Sequence, residues 1–195
     1  MKTLLVTAAF AAAIVPTAAT AQAIPAAVIA VVDLDRVTRD CNACKSAAAT
    51  LQSRATALQN RQRALVAPLE SEGKAIRDAA QALQGKPADA ALEARAKAWE
   101  TKRNNAAQEV QRMGEQLQRD QQYISQQVAS KLGPIYSQVM QRRGANVLVE
   151  VGTTLAASNA VDVTNDILTA LNTALPSVQT NAPAATQQRQ QPQGR

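Results

Sequence analysis

The sequence predicts an α+β chain in which a long antiparallel helical coiled-coil hairpin, a tentacle, projects from a small β-sheet body. Three observations predict it. Apolar residues recur at heptad spacing on both sides of a single Gly-Pro break, and short β-branched runs stand near both ends of the chain. The composition also lacks the side chains of a thick core: 195 residues include one Trp, two Tyr and one Phe. Such a chain can bury many small helix–helix contacts but not a wide globular interior. Long helices and association between copies answer that shortage.

Residues 1–23 read as a secretory signal peptide. Lys2 supplies the positive start, and Leu4 to Val15 form an apolar stretch. Small-residue cleavage sites follow at Ala19-Thr20-Ala21 and Ala21-Gln22-Ala23. A membrane anchor needs about 20 apolar residues, and Pro16 interrupts the run early. Cleavage is expected, leaving a soluble protein outside the cytoplasm.

Val28 to Asp33 (VIAVVD) has the length and β-branched content of a buried strand. Leu34 to Asp40 suits one or two helical turns, and Cys41 to Lys45 a hinge-like junction. Then the period changes. Leu51, Ala55, Leu58, Gln62, Leu65, Leu69, Glu72, Ile76, Ala79 and Leu83 alternate at spacings of four and three. A mean period of 3.5 sustained this long argues for a coiled coil. Pro68 should kink or locally break the helix, and Gly73 is a second weak point that would let the arm splay.

Gln84-Gly85-Lys86-Pro87 ends the first seam. A second runs through Leu92, Ala96, Trp99, Arg103, Ala106, Val110, Met113, Leu117, Gln121, Ile124, Val128 and Leu132. Two long helices with so short a connection lie antiparallel and would reach roughly 60 Å at about 1.5 Å per residue. Gly133-Pro134 marks a bend, with helix resuming to Arg143. Asn146 to Val151 alternates as a strand, and Leu155 to Ala157 suit a short partner strand. Thr164, followed by Asn165 and Asp166, reads as an N-cap ahead of an apolar face at Ile167, Leu168, Leu171 and Leu175. The expected organisation is a body of 24–45 with 144–175, an arm of 46–143, and a disordered Gln/Pro-rich tail of 176–195.

Charge follows the same division. Residues 46–143 hold 15 basic and 9 acidic groups, whereas the two body segments hold three basic and six acidic. The cationic arm would steer acidic partners toward itself.

VIAVVDLDRVTRD resembles the opening strand and helix of the Skp/OmpH periplasmic chaperones, and ANVLVEVGTTLAASNAVDVTNDILTALN resembles their closing segment. The resemblance covers about 24–175. It implies a periplasmic homotrimer whose body is shared by three subunits and whose three arms enclose a cavity. There, unfolded outer-membrane β-barrel proteins would be held without ATP. Some members also contact lipopolysaccharide through basic residues, but no motif carries that site onto this chain. The Cys pair, Pro68 and the long tail depart from the family's pattern.

For a client in such a cage, the apolar contacts would come from Leu83, Leu92, Trp99 and Met113, each equally able to be a seam residue. Arg77, Lys86, Arg95 and Lys102 would supply charge, though basic residues also simply solvate a long hairpin. The chain has no His, which removes the commonest general base and metal ligand. No Gly-rich phosphate loop follows a strand. No catalysis, cofactor or metal is expected. Cys41 and Cys44 could form a local disulfide, remain inert thiols, bridge subunits, or serve redox or metal chemistry. A structural adaptor of the cell envelope is the rival reading. Nucleic-acid binding is disfavoured by export and by the scarcity of aromatic stacking platforms.

Overall fold

The structure is a computed structural model and describes residues 24–183; the expected signal peptide and the end of the expected tail lie outside the described residues. Strand β1 (Ile29–Val32) leads into helix α1 (Leu34–Asp40), then α2 (Asn42–Ala82) and α3 (Ala90–Arg143). Strand β2 (Val147–Glu150), two short 3₁₀ turns and helix α4 (Thr164–Ala174) complete the chain.

β1 and β2 pair in parallel, Ile29 opposite Val147 through Val32 opposite Glu150. The amide of Asn146 sets this register: its Oδ1 accepts the Val28 N–H at 2.7 Å and its Nδ2 donates to the Ala26 carbonyl at 2.8 Å. On the other side of β1 the Val163 N–H donates to the Val31 carbonyl at 2.9 Å. Three of the four β1 residues are therefore buried, as a continuous apolar run leads one to expect of a strand covered on both faces. The two ends of the chain do share one sheet.

The expected partner strand at Leu155 to Ala157 does not form. The Glu150 carboxylate accepts the Gly152 N–H at 2.6 Å and the Glu150 carbonyl accepts the Thr153 hydroxyl at 2.8 Å. These bonds wind the chain into a 3₁₀ turn as it leaves β2, and Leu155 ends fully exposed. The N-cap of α4 is also not Thr164. The Asp162 carboxylate accepts the Thr164 N–H at 2.8 Å, while the Thr164 hydroxyl is buried and accepts the Asp33 N–H at 2.9 Å. Thr164 thus ties α4 to the end of β1 instead of capping its own helix.

The core lies where α1, α3, α4 and β1 meet; Val37, Ile167 and Leu171 have no exposed surface there. Two prolines expected to interrupt the long helices do not end them: α2 continues through Pro68 and α3 through Pro134. Around Pro134, Leu132, Ile135 and Val139 are all buried, and that packing offsets the lost backbone hydrogen bond. The turn between the helices passes through left-handed backbone at Gln84 (φ 51°) and Gly85 (φ 90°). Asp89 then caps α3 by accepting the Leu92 N–H at 2.7 Å. Among the described residues, no helix is long and apolar enough to cross a membrane.

Candidate functional site: the arm and its root

α2 and α3 pair along their heptad seams. Outward from the root, Leu58, Leu65, Leu69, Ile76 and Leu83 of α2 and Leu92, Ala96, Val110 and Met113 of α3 are half-buried. An α-helix with a single neighbour covers only one stripe of its surface, so a two-stranded arm leaves part of every seam residue in contact with water. Full burial returns only near the body, at Ile124, Val128 and Leu132.

Ion pairs between the helices reinforce the seam. Arg61 donates to both carboxylate oxygens of Glu109, at 2.6 and 3.2 Å, and this guanidinium holds the Glu109 carboxyl below the usual carboxylate range. Lys102 donates to Glu72 at 2.9 Å. Both pairs are solvent-exposed, so water screens them and they reinforce the seam only weakly.

The eight candidate client-contact residues do not form one cluster. Leu83 and Leu92 lie half-buried at the tip, and Arg77, Lys86 and Arg95 are exposed near it. Among the described residues these three cations have no carboxylate within ion-pair distance. Lys102 is engaged with Glu72. Met113 sits about 30 Å along α3 from Leu92 at 1.5 Å per residue, beside Leu58, Leu117 and Asn181.

Trp99 is committed to the helix pair. Its Nε1–H donates to the Leu69 carbonyl at 2.8 Å, and the Arg103 guanidinium stands 5.1 Å from its ring centroid. The ring lies across Gly73, where an added Cβ would stand 2.9 Å from the indole Cζ2. Gly73, marked above as a weak point, is a buried seat for the one Trp of the chain. Its missing side chain is what lets an indole approach the α2 backbone.

Cys41 and Cys44 form a disulfide within the chain, their Cα atoms 5.1 Å apart. Cys41 is buried at the N-cap of α2, where its Sγ accepts the Cys44 N–H at 3.1 Å. The junction between α1 and α2 is therefore a covalent staple at a helix start.

The segment after α4 departs from the expected tail. Residues 177–183 turn back along the arm and dock at its root. Val178 packs on the core, and Gln179 exchanges two hydrogen bonds of 2.8 Å with the Gln127 amide. Arg54 donates to the Thr180 carbonyl at 2.5 Å and to Asn181 Oδ1 at 2.6 Å. Asp120, 1% exposed, pairs with Arg54 and accepts the Ala182 N–H at 2.8 Å and the Gln116 amide at 2.7 Å. Burial alone would push the Asp120 carboxyl up; the Ala182 N–H, the Gln116 amide and the Arg54 guanidinium outweigh it and hold it below its ordinary range. In the sequence Arg54 is one more basic residue of a long hairpin, and nothing marks Gln116, Asp120 or Gln127. Polar residues buried by a segment with no repeat of its own leave no periodic signal.

The fold and arm define a class: an α+β protein whose parallel strand pair carries a long helical hairpin as its crossover. The family model described as "Outer membrane protein (OmpH-like)" matches residues 28–171, and the chain belongs to that family. Among solved structures, the chain is similar to a candidate outer membrane chaperone (OmpH-like) from Caulobacter crescentus CB15. The two share 19% identity with a TM-score of 0.67, over 88% of this chain and 99% of that one, a likeness of fold. No curated protein matches the chain.

Proposed function

We propose that this chain is an ATP-independent holding chaperone of the periplasm, acting as a homotrimer that shelters unfolded outer-membrane β-barrel proteins between its arms. The observation that carries this reading is the long arm whose seam stays half-open from Leu58 to Leu83 and from Leu92 to Met113. A folded partner would want one well-formed patch. A mobile, aggregation-prone chain is better served by many weak apolar contacts spread along a wall, multiplied by linking several arms. The family, and the chaperone description given to the solved relative, support the same reading.

In this reading residues 24–45 and 144–175 form the trimerising body and residues 46–143 the arm. Ile29, Val147 and Val151 keep 49, 38 and 38% of their surface exposed beside a two-stranded sheet, an apolar rim suited to other copies of the chain. The client would meet Leu83, Leu92 and the accessible edges of Trp99 and Met113. The exposed cations Arg77, Lys86 and Arg95 would draw acidic segments, or the phosphates of lipopolysaccharide, toward the tips. Holding involves no bond making, so no catalytic group is required.

The test is to dilute a urea-unfolded outer-membrane barrel protein into the purified chain while following light scattering and the mass of the soluble complex. Suppressed scattering with three copies per client is expected. Unimpeded aggregation, or a compact monomer by sedimentation, would remove the cage and favour an envelope adaptor.

A further inference from the structure

The docked C-terminal segment is held in an unusual way: the arm root grips it chiefly by its main chain. The Gln127 amide donates to the Gln179 carbonyl and accepts the Gln179 N–H, both at 2.8 Å. Arg54 donates to the Thr180 carbonyl at 2.5 Å. Asp120 accepts the Ala182 N–H at 2.8 Å, and Gln116 reaches the Ala182 carbonyl at 3.5 Å. Five main-chain groups of three residues, Gln179, Thr180 and Ala182, are thus met by side chains of α2 and α3. Fewer contacts read side chains: Arg54 with Asn181 Oδ1 at 2.6 Å and with Thr180 Oγ1 at 3.4 Å, and Val178 against the core.

We propose that the groove formed by Arg54, Gln116, Asp120 and Gln127 is a binding site for extended polypeptide, read through its backbone, and that residues 178–182 occupy it in cis. The chemistry fits the ligand class. Every non-proline residue offers one N–H donor and one carbonyl acceptor whatever its side chain, so a groove that pairs with both accepts many sequences. Its buried carboxylate takes Arg54 on Oδ2 and the Gln116 amide on Oδ1, and the second lone pair of Oδ1 accepts the backbone N–H. An unfolded chain presents unpaired groups of this kind, and a folded protein keeps them internal.

The segment lies beyond residues 28–171, the stretch shared with the family. A tethered occupant sees an effective concentration on the order of mM, so it yields only to a client that makes further contacts along the arm. The cis segment sets a threshold for entry. This inference deepens the holding reading above and rests on it for the identity of the natural ligand.

A labelled peptide with the sequence of residues 177–183, titrated against the full chain by fluorescence anisotropy, tests the site. The unchanged chain should bind it weakly. A full chain carrying Val178→Asp and Ala182→Pro, which removes the core anchor and one N–H, should bind it at least tenfold more tightly. Adding Gln127→Ala should cancel that gain. A peptide N-methylated at Gln179 and Ala182 should bind at least tenfold more weakly than its parent, whereas an Asn181→Ala peptide should differ by less than threefold.

A folded chain carrying Val178→Asp and Ala182→Pro that gains no peptide affinity, or equal binding of the N-methylated peptide, overturns the proposal. If that variant fails to fold, hydrogen exchange on Gln127→Ala replaces it: faster exchange at Gln179 is expected, and unchanged protection overturns the backbone grip. A chain that captures the peptide while the barrel protein still aggregates keeps this site and loses the holding function. A chain that holds the barrel protein with no peptide bound loses the site alone.

Discussion

At the root of the hairpin Ile124, Val128 and Leu132 are buried to below a tenth of their surface, while the same seam farther out leaves Leu117, Met113 and Val110 half-exposed. The heptad spacing does not change between the two regions; the number of neighbours does. Near the body α3 packs on α2, on α4 and beneath residues 178–182, whereas the distal arm has one helix facing one helix. A repeat in the sequence therefore sets which residues face each other, and the surroundings set how much each contact stabilises the chain. The distal arm is built from contacts that can open singly, which suits the holding role proposed above. The root is packed from more sides.

Leu171→Ala against Leu65→Ala gives the largest contrast. Leu171 has no exposed surface, and its truncation leaves a cavity with no side chain free to fill it. A loss of about 3 kcal/mol is expected in the urea midpoint. Leu65 is half-buried, and water can enter the space, so about 1 kcal/mol is expected. Equal losses would show that a further surface covers the distal seam, and the two regions would then be one.

Asp120 comes next, at the boundary between them. Asp120→Ala strips the partner from Arg54, whose side chain stays 32% exposed and can recover some hydration. The expected cost is therefore about 2–3 kcal/mol, below that of breaking a fully buried pair. The same carboxylate fixes a pH dependence. Its folded-state pKa lies below the ordinary value of 3.8, so its contribution is complete above that value and is lost as pH falls through the lower one. Hydrogen exchange at Gln179 to Ala182 should stay slow from neutrality to about pH 4 and quicken in stronger acid. In Asp120→Ala the intrinsic pH trend of exchange should remain and this added acid step disappear.

The contrast between root and distal arm also marks how far the sequence can be read. The seam from Leu51 to Leu132 was legible because heptad spacing is a geometric code. The strands at Ile29–Val32 and Val147–Glu150 were legible because each is a short β-branched apolar run that meets a carboxylate, Asp33 or Glu150. Leu155 to Ala157 failed because alternation says nothing of the Glu150 carboxylate that turns the chain aside. Thr164 failed because a hydroxyl that suits an N-cap equally suits the N–H of a residue 131 positions away. Residues 177–183 failed for a related reason. A run of Gln, Ala, Pro, Thr and Arg offers nothing to bury, yet its backbone at Gln179, Thr180 and Ala182 is what the arm holds. Of the eight candidate contact residues, periodicity placed the apolar four on the seam but could not say that Trp99 would find a glycine opposite it.

That glycine supplies the smallest and most local of these effects, and one of uncertain sign until its parts are weighed. Alanine at 73 favours the helix by up to about 1 kcal/mol over glycine. Its Cβ would also stand 2.9, 3.1 and 3.2 Å from indole atoms Cζ2, Cε2 and Nε1. The indole is a rigid bicycle, so the ring must move as a whole, stretching the 2.8 Å bond to the Leu69 carbonyl. That bond contributes about 1 kcal/mol, and overpacking costs a further 1–3. The clash wins, with a net loss of at least about 1 kcal/mol for Gly73→Ala confined to the middle of the arm. Trp99 is the one Trp in the sequence, so its emission reports this site alone: a red shift with faster hydrogen exchange near Leu69 and Ile76 is expected, while the root keeps its protection. Unchanged emission with a raised urea midpoint would mean that the indole slides aside at no cost, and that the distal arm is looser than its one aromatic lock suggests.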